Sequence, residues 1–262
     1  MTAGERLAGF GLTLPPGYRL HAIADRPDLW RPVMDINVSV WPEFMVNFPV
    51  ANGHWHHLAA EFAAFQLVLL DEDGEVAGGA NSAPVPWDGT DEDLPDGWDA
   101  QMLRSVHALE TGATSLALGA LQITVRPDRQ GHGLSGLLLE AMRANARAHD
   151  LPAVIACVRP TLKERYPLIP IERYAMWVRD DGLPFDPWIR VHVRAGGRIV
   201  RASPASMTLR ATLADWAAWT GLSFPESGEY LPAGAAAPVA VDVEAGEGVY
   251  RDPNVWVVHA LA

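Results

Sequence analysis

The sequence predicts an α/β fold, and three stretches carry that expectation. Leu116 to Val125 (LALGALQITV) and Ala153 to Val158 (AVIACV) are almost wholly apolar, the pattern of buried strands. Between them, Leu134, Leu137, Leu138, Ala141 and Ala148 fall mainly on one helical face, with Glu140, Arg143 and Arg147 elsewhere. Strand, glycine turn, helix and strand in that order make a βαβ-like unit. Upstream, Gln66 to Leu70 and Glu75 to Ala83 flank the tight turn Asp71-Glu72-Asp73-Gly74 and read as a hairpin.

The remaining elements follow in chain order. Tyr18 to Ala24 is expected as a first strand, and Arg26-Pro27-Asp28 separates it from an apolar segment over Leu29 to Val40. A short helix is expected from His54 to Phe62, and a moderately helical stretch from Asp96 to Glu110. Pro152 stops the central helix, and Arg159 to Phe185, rich in Pro and Tyr, reads as irregular. Asp186-Pro187 then opens a helix, Asp as N-cap and Pro at the first helical position, and Gly196-Gly197 ends it. Arg198 to Ala202 and Met207 to Arg210 are expected as separate strand-like pieces. Thr212 with Asp215 caps a further helix through Trp219, and Val255 to Leu261 is a closing strand.

Composition narrows the class. The 262 residues are 49% hydrophobic and 20% charged, enough for a proper core. A net charge of −12 disfavours non-specific binding to nucleic acid or anionic membranes. Cys157, the one cysteine, excludes a disulfide framework and a cysteine-ligated metal cluster within the chain; it is expected to be a small buried hydrophobe. No stretch approaches the roughly 18 apolar residues of a membrane span, and Glu5 and Pro15-Pro16 interrupt what a signal peptide would need. The expectation is a soluble, cytoplasmic protein.

The stretch with most chemical content is Val125-Arg-Pro-Asp-Arg-Gln-Gly-His-Gly-Leu-Ser-Gly136. Glycines between a strand and a helix let backbone amides point at an anion, which the helix dipole also favours. Gly131, Gly133 and Gly136 formally match a dinucleotide fingerprint, but five polar residues follow Val125 first, and the next strand ends without an acidic residue. A Walker loop needs a lysine here, and the only one is Lys163. A nucleophile elbow at Ser135 needs glycine where Leu137 stands.

The segment resembles motif A of the GNAT superfamily of acyl-CoA-dependent N-acyltransferases: an apolar strand ending V-x-P, then Q/R-x-x-G-x-G/A opening a helix. Val125-Arg126-Pro127 is followed here by Gln130-Gly131-His132-Gly133-Leu134-Ser135, with Ser135 where the family prefers Gly or Ala. The resemblance is close from Leu116 to about Val158 and weaker from Tyr18 to Ala83. It implies a GNAT-like mixed, twisted sheet with helices on both faces. It implies a single domain over 1–262, with an insertion at about 159–185 and a C-terminal elaboration at about 211–262.

The same resemblance implies acyl-CoA, acetyl-CoA first, as co-substrate. Backbone of Ile123 and Val125 would pair with the pantetheine arm, amides of Gln130, Gly131, His132, Gly133, Leu134 and Ser135 would hold the pyrophosphate, and Arg129 would add a charged contact. Where relatives carry a tyrosine four residues before a glycine, to protonate the leaving thiolate, this chain carries His192; an ordinary imidazole pKa of about 6.5 suits that proton transfer. No carboxylate stands on the motif A strand, so Glu43, His54 and His57 are the candidates for general base. The implied activity is acyl transfer to an amine of a small-molecule acceptor by direct attack, with no metal, nucleic acid or membrane involved. Two alternatives stay open: a CoA-binding regulatory module without catalysis, and an enzyme whose acyl donor sits on a carrier protein. The insertion, with Arg159, Lys163, Arg165, Tyr166, Arg173, Tyr174 and Trp177, would flank the acceptor pocket and bind a carboxylate or a ring. Asn254 and His259 lie where they could also face it.

Overall fold

The computed structural model describes residues 2–261. Among these, nine strands form one sheet: β1 (Arg19–Ala22), β2 (Leu67–Leu70), β3 (Val76–Val85), β4 (Ala117–Val125), β5 (Ala153–Val158), β6 (Arg198–Thr212), β7 (Gly228–Tyr230), β8 (Val239–Asp242) and β9 (Glu247–Ala260). Their order is β1-β2-β3-β4-β5-β9-β8-β7, and β6 pairs with the remaining edge of β9. Only β4 and β5 run parallel, as their crossover through a helix requires; every other named pair is antiparallel.

The helices are α1 (Ala3–Leu7), α2 (Trp30–Val40), α3 (Pro49–His54), α4 (His56–Ala59), α5 (Trp98–Thr111), α6 (Leu134–Ala148), α7 (Ile171–Tyr174), α8 (Pro187–Arg194) and α9 (Leu213–Thr220). None is long and apolar enough to cross a membrane. They cover both faces of the sheet. On one face α6 buries Leu134, Leu138, Ala141 and Met142 with Leu7 of α1 against Leu20, Leu69, Leu118 and Val154. On the other, Trp98 and Met102 of α5 pack with Leu58 of α4 against Val85, Ile155 and Trp256. The expected caps are present: Asp186 accepts from the amides of Trp188 and Ile189, and Thr212 with Asp215 closes a capping box.

Two sequence expectations are corrected. The pieces expected at Arg198 to Ala202 and Met207 to Arg210 belong to one strand, β6. Its register to β9 shifts between Ser203 and Met207, so Pro204 falls at an irregularity where no ladder amide is needed. The closing strand starts at Glu247 rather than Val255. Its front half is polar in sequence, yet Asp252 and Asn254 are buried there, with Asp252 paired to Arg159.

Candidate active site

β4 and β5 pair only from Leu118 to Ala120 against Val154 to Ala156. Beyond that point the two strands part. A cavity of about 790 Å³ lies in the gap, with Ile123 and Val125 on one side and Cys157 and Val158 on the other. The amide of Arg126 donates to Ala77 in β3 (2.9 Å), so alternation along the strand turns the backbone groups of Val125 and Ile123 the other way, into the gap.

The parting strand is shaped by a bulge. Gln122 faces Asn81 and Ala120 faces Ser82, leaving Leu121 as the extra residue of β4. Two side chains of α5 fix it: Trp98 Nε1 donates to the Leu121 carbonyl (2.9 Å), and Gln101 Nε2 to that of Ala120 (3.0 Å). The helix is itself held by Ser206 Oγ, which accepts from the Trp98 amide (2.9 Å). Gly97 permits this approach, because a Cβ there would meet the Ser206 carbonyl oxygen at 2.6 Å. Gly97→Ala is therefore expected to destabilise the fold by about 1–3 kcal/mol, read by urea denaturation. An unchanged midpoint would show that the contact yields freely.

The glycine turn closes one end of the cavity. Gly131 (φ +81°) and Gly133 (φ +79°) adopt the left-handed conformation that favours glycine, and a Cβ at either would meet open space. Gly133 caps α6 without a side-chain acceptor, so the first-turn amides of Leu134, Ser135 and Gly136 keep no partner. That is an anion-binding helix N-terminus on a helix of 15 residues. The turn is anchored from behind by Asp71, 1% exposed, which accepts from Arg126 and Arg129 (3.0 Å each) and from the amides of Asp73 and Glu75. Burial alone would raise the Asp71 pKa, but the Glu75 amide and Arg126 outweigh it and hold the carboxyl below its usual range.

The opposite end is aromatic and thioether-rich. Trp41, Trp55, Trp98, Met34, Met45 and Met207 line it, with the Trp55 and Trp98 rings stacked at 6.2 Å. Its charged side chain is Arg159. Among the described residues no carboxylate lines the cavity. Cys157 reaches the wall, but burial pushes its thiol up to about 12, so it is inert as a nucleophile.

His192 lines the cavity wall, 2% exposed, and its Nδ1 lies 2.9 Å from Nε2 of His259, a residue with no exposure at all. Burial, together with the His259 ring, lowers the His192 pKa to about 3, and burial lowers His259 to about 4. This corrects the expectation of an imidazole titrating near 6.5. Burial and the neighbouring ring thus favour the neutral imidazole at His192, with one ring nitrogen donating to the other across the contact.

Of the other residues expected from sequence, Ile123, Val125, Arg129, Gln130, Gly131, Gly133, Leu134 and Ser135 all line this cavity. Two qualifications apply: Gln130 Nε2 folds back to donate to the Val125 carbonyl (3.1 Å), and the Arg129 guanidinium is engaged by Asp71. His132 is exposed and outside the lining, with its ring beside the Arg129 carbonyl. Glu43 is also exposed and outside it, although Trp41 and Met45 beside it are inside. The short helical turn there aims Phe44, not Glu43, inward. His54 and His57 stack on each other at 6.0 Å, with His57 paired to Glu61, away from the cavity. Of the insertion, Arg159 and Thr161 reach the lining, and Asn254 joins them from β9.

No family profile matches the chain. It is 34% identical over 292 residues to the arginine N-acetyltransferase avaD of Aspergillus versicolor, with 99% of each chain covered. The fold is that of the loading GNATL domain of CurA from Lyngbya majuscula (TM-score 0.59, 18% identity, 93% of this chain and 98% of that one). It is also that of the GphF GNAT-like decarboxylase in complex with isobutyryl-CoA (TM-score 0.54, 20% identity, 94% and 99% covered). A parallel strand pair that opens at Ala120, an uncapped glycine turn beneath it and a full-length acetyltransferase relative point the same way: the chain belongs to the GNAT superfamily of N-acyltransferases.

Proposed function

We propose that this protein transfers an acetyl or other acyl group from acyl-CoA to an amine of a small-molecule acceptor by direct attack. The observation that carries the reading is the continuity of one cavity from the amide cradle at Gly131–Gly136, along the outward-turned backbone of Ile123 and Val125, to an aromatic pocket. The donor brings an activated thioester carbonyl. The free amides of α6 suit its diphosphate, and the edge of β4, free of any strand partner and touched by the Gln130 amide at Val125, suits the two amides of its arm. The bulge at Leu121, braced by Trp98 and Gln101, fixes the backbone where the reacting carbonyl would lie.

The acceptor enters from the tryptophan-lined end. No wall carboxylate and no protonatable histidine serves as its base, so the amine attacks in its free form, having lost its proton to water. Neutral His192 offers the departing sulfur an N–H hydrogen bond; the proton that the nitrogen sheds as the C–N bond forms and the C–S bond breaks passes through water to the thiolate, giving the amide and free CoA thiol. Two measurements test the reading. Calorimetry with acetyl-CoA, dephospho-CoA and pantetheine should show binding that weakens as phosphates are removed, and turnover should follow with an amine; arginine, the substrate named for the fungal relative, is the first to try. Binding without turnover of any amine would favour a regulatory module, and no binding of free acyl-CoA would favour a carrier-bound donor. Cys157, a buried thiol without a disulfide partner, suits a reducing compartment, and we place the protein in the cytoplasm.

With His192 held near 3, its ionisation lies outside the assay range, so kcat between pH 5.5 and 8 should carry no limb that His192→Gln removes. kcat/KM should instead rise with pH toward the pKa of the acceptor amine. A limb near 6.5 that vanished in His192→Gln would restore the imidazolium as the acid.

A further inference from the structure

We propose that the acceptor carries a carboxylate beside its reacting amine, and that Arg159 is the residue that binds it. The proposal rests on the acyltransferase reading and adds to it a substrate class and a specificity-determining residue. Arg159 follows directly on β5, at the mouth of the aromatic pocket. Its Nε donates to Asp252 Oδ1 (3.0 Å), its Nη2 donates to the Gly234 carbonyl (2.9 Å), and the guanidinium lies 5.4 Å from the Trp41 ring centroid. The planar group is thus fixed by both of these bonds and by the ring. Its Nη1 has no partner among the described residues, and the side chain, 15% exposed, lines the cavity. A guanidinium held in this way loses little freedom on binding an oxyanion.

The surrounding charge also favours an anion. Asp252 has no exposure: besides Arg159 it accepts from the Tyr250 hydroxyl (2.6 Å), and its Oδ2 lies 2.9 Å from the Asn254 amide nitrogen, that amide being turned so that its oxygen accepts from Ser206 Oγ (2.8 Å). Lys163, 1% exposed, sits close enough to feel both Arg159 and Asp252, yet its Nζ bonds only to the carbonyls of Tyr166, Pro167 and Ala236. Arg159 and Lys163 are thus two buried cations beside Asp252, whose carboxylate neighbour Asp99 accepts from the Thr208 amide and does not line the cavity. A ligand carboxylate reaches the one open donor, Nη1 of Arg159. The rest of the pocket, walled by tryptophan and methionine without an acid, places no charge requirement on the acceptor's side chain. A guanidinium stacks there as a flat cation, and a neutral or apolar group fits as well.

The test uses the full chain saturated with acetyl-CoA and titrates L-arginine, L-citrulline, L-methionine and agmatine, which is arginine without its carboxylate. At least one of the amino acids should bind and be acetylated, with agmatine weaker than arginine by roughly ten- to a hundredfold in both Kd and kcat/KM, the worth of a charge-assisted contact. Arg159→Lys should shrink the arginine-to-agmatine ratio. The double change Arg159→Leu with Asp252→Asn, which removes both members of the pair and leaves Lys163 on its three carbonyls, should bring it to about one with the fold intact by circular dichroism. Agmatine matching arginine, a ratio untouched by these variants, or no binding by any of the three amino acids overturns the proposal while acetyl-CoA binding stands. Failure of acetyl-CoA to bind overturns the acyltransferase reading itself.

Discussion

Ser135→Glu should weaken acetyl-CoA binding by more than about a hundredfold while leaving the protein as stable as before or slightly more so. The side chain stands in the first turn of α6, at the free amides of a helix whose cap is a glycine. A carboxylate there meets a diphosphate of the same sign; at about 5–6 Å and an effective dielectric constant near 20, each pair of unit charges costs about 3 kcal/mol. The same carboxylate interacts favourably with the helix dipole and with the orphaned amides, a gain of about 0.3–1 kcal/mol. Opposite signs for affinity and stability separate a defect of the site from a defect of the fold. Calorimetry reads the first and thermal unfolding the second. Undiminished affinity would move the diphosphate away from this turn.

Asp252→Ala should cost about 3–5 kcal/mol of stability, the expected range for removing one partner of a buried ion pair. The loss leaves the Arg159 guanidinium and the Tyr250 hydroxyl without their acceptor in a region with no water-facing route for Asp252. The effect should reach Tyr250, whose ring packs edge-on against Phe44 (5.4 Å) and whose hydroxyl also accepts from the Ala236 amide (3.0 Å). Urea denaturation measures the change. The double change Arg159→Leu with Asp252→Asn should recover much of it, because both charges leave together. A single variant as stable as the parent would show that Arg159 is hydrated rather than dependent on its carboxylate.

The sequence was most legible where local signals agreed. Leu134–Ala148 and Ala153–Val158 have in the structure the boundaries expected of them, because helical periodicity, a glycine turn and Pro152 mark each end independently. The glycine-turn end of the cavity was legible for the same reason: its residues are contiguous in the chain. The aromatic end was not. Trp41, Trp55, Trp98, Arg159, Met207 and Asn254 come from six separate segments, and only the sheet brings them together. Glu43 shares its short turn with two lining residues and still faces outward, a one-residue difference in phase that composition does not encode. His192 was placed by its spacing to Gly196, but its charge state depends on His259, 67 residues away, and on burial that no local pattern reveals. β7 and β8, three and four residues long and half exposed, carry too few apolar positions to stand out.

β9 has a consequence for how the molecule comes into being. It is the last of the described strands and pairs with three others, β5 and β8 along one edge and β6 along the other. A nascent chain threaded from a ribosome can assemble β1 to β4 and dock α6 early, yet β5 must wait, with one edge bare, until Glu247–Ala260 emerges. Asn254 and the Asp252 that steadies Arg159 arrive with that same strand. The wall around Arg159 is thus among the last of the described parts to form, so a stalled product would hold the glycine turn without the carboxylate that steadies Arg159.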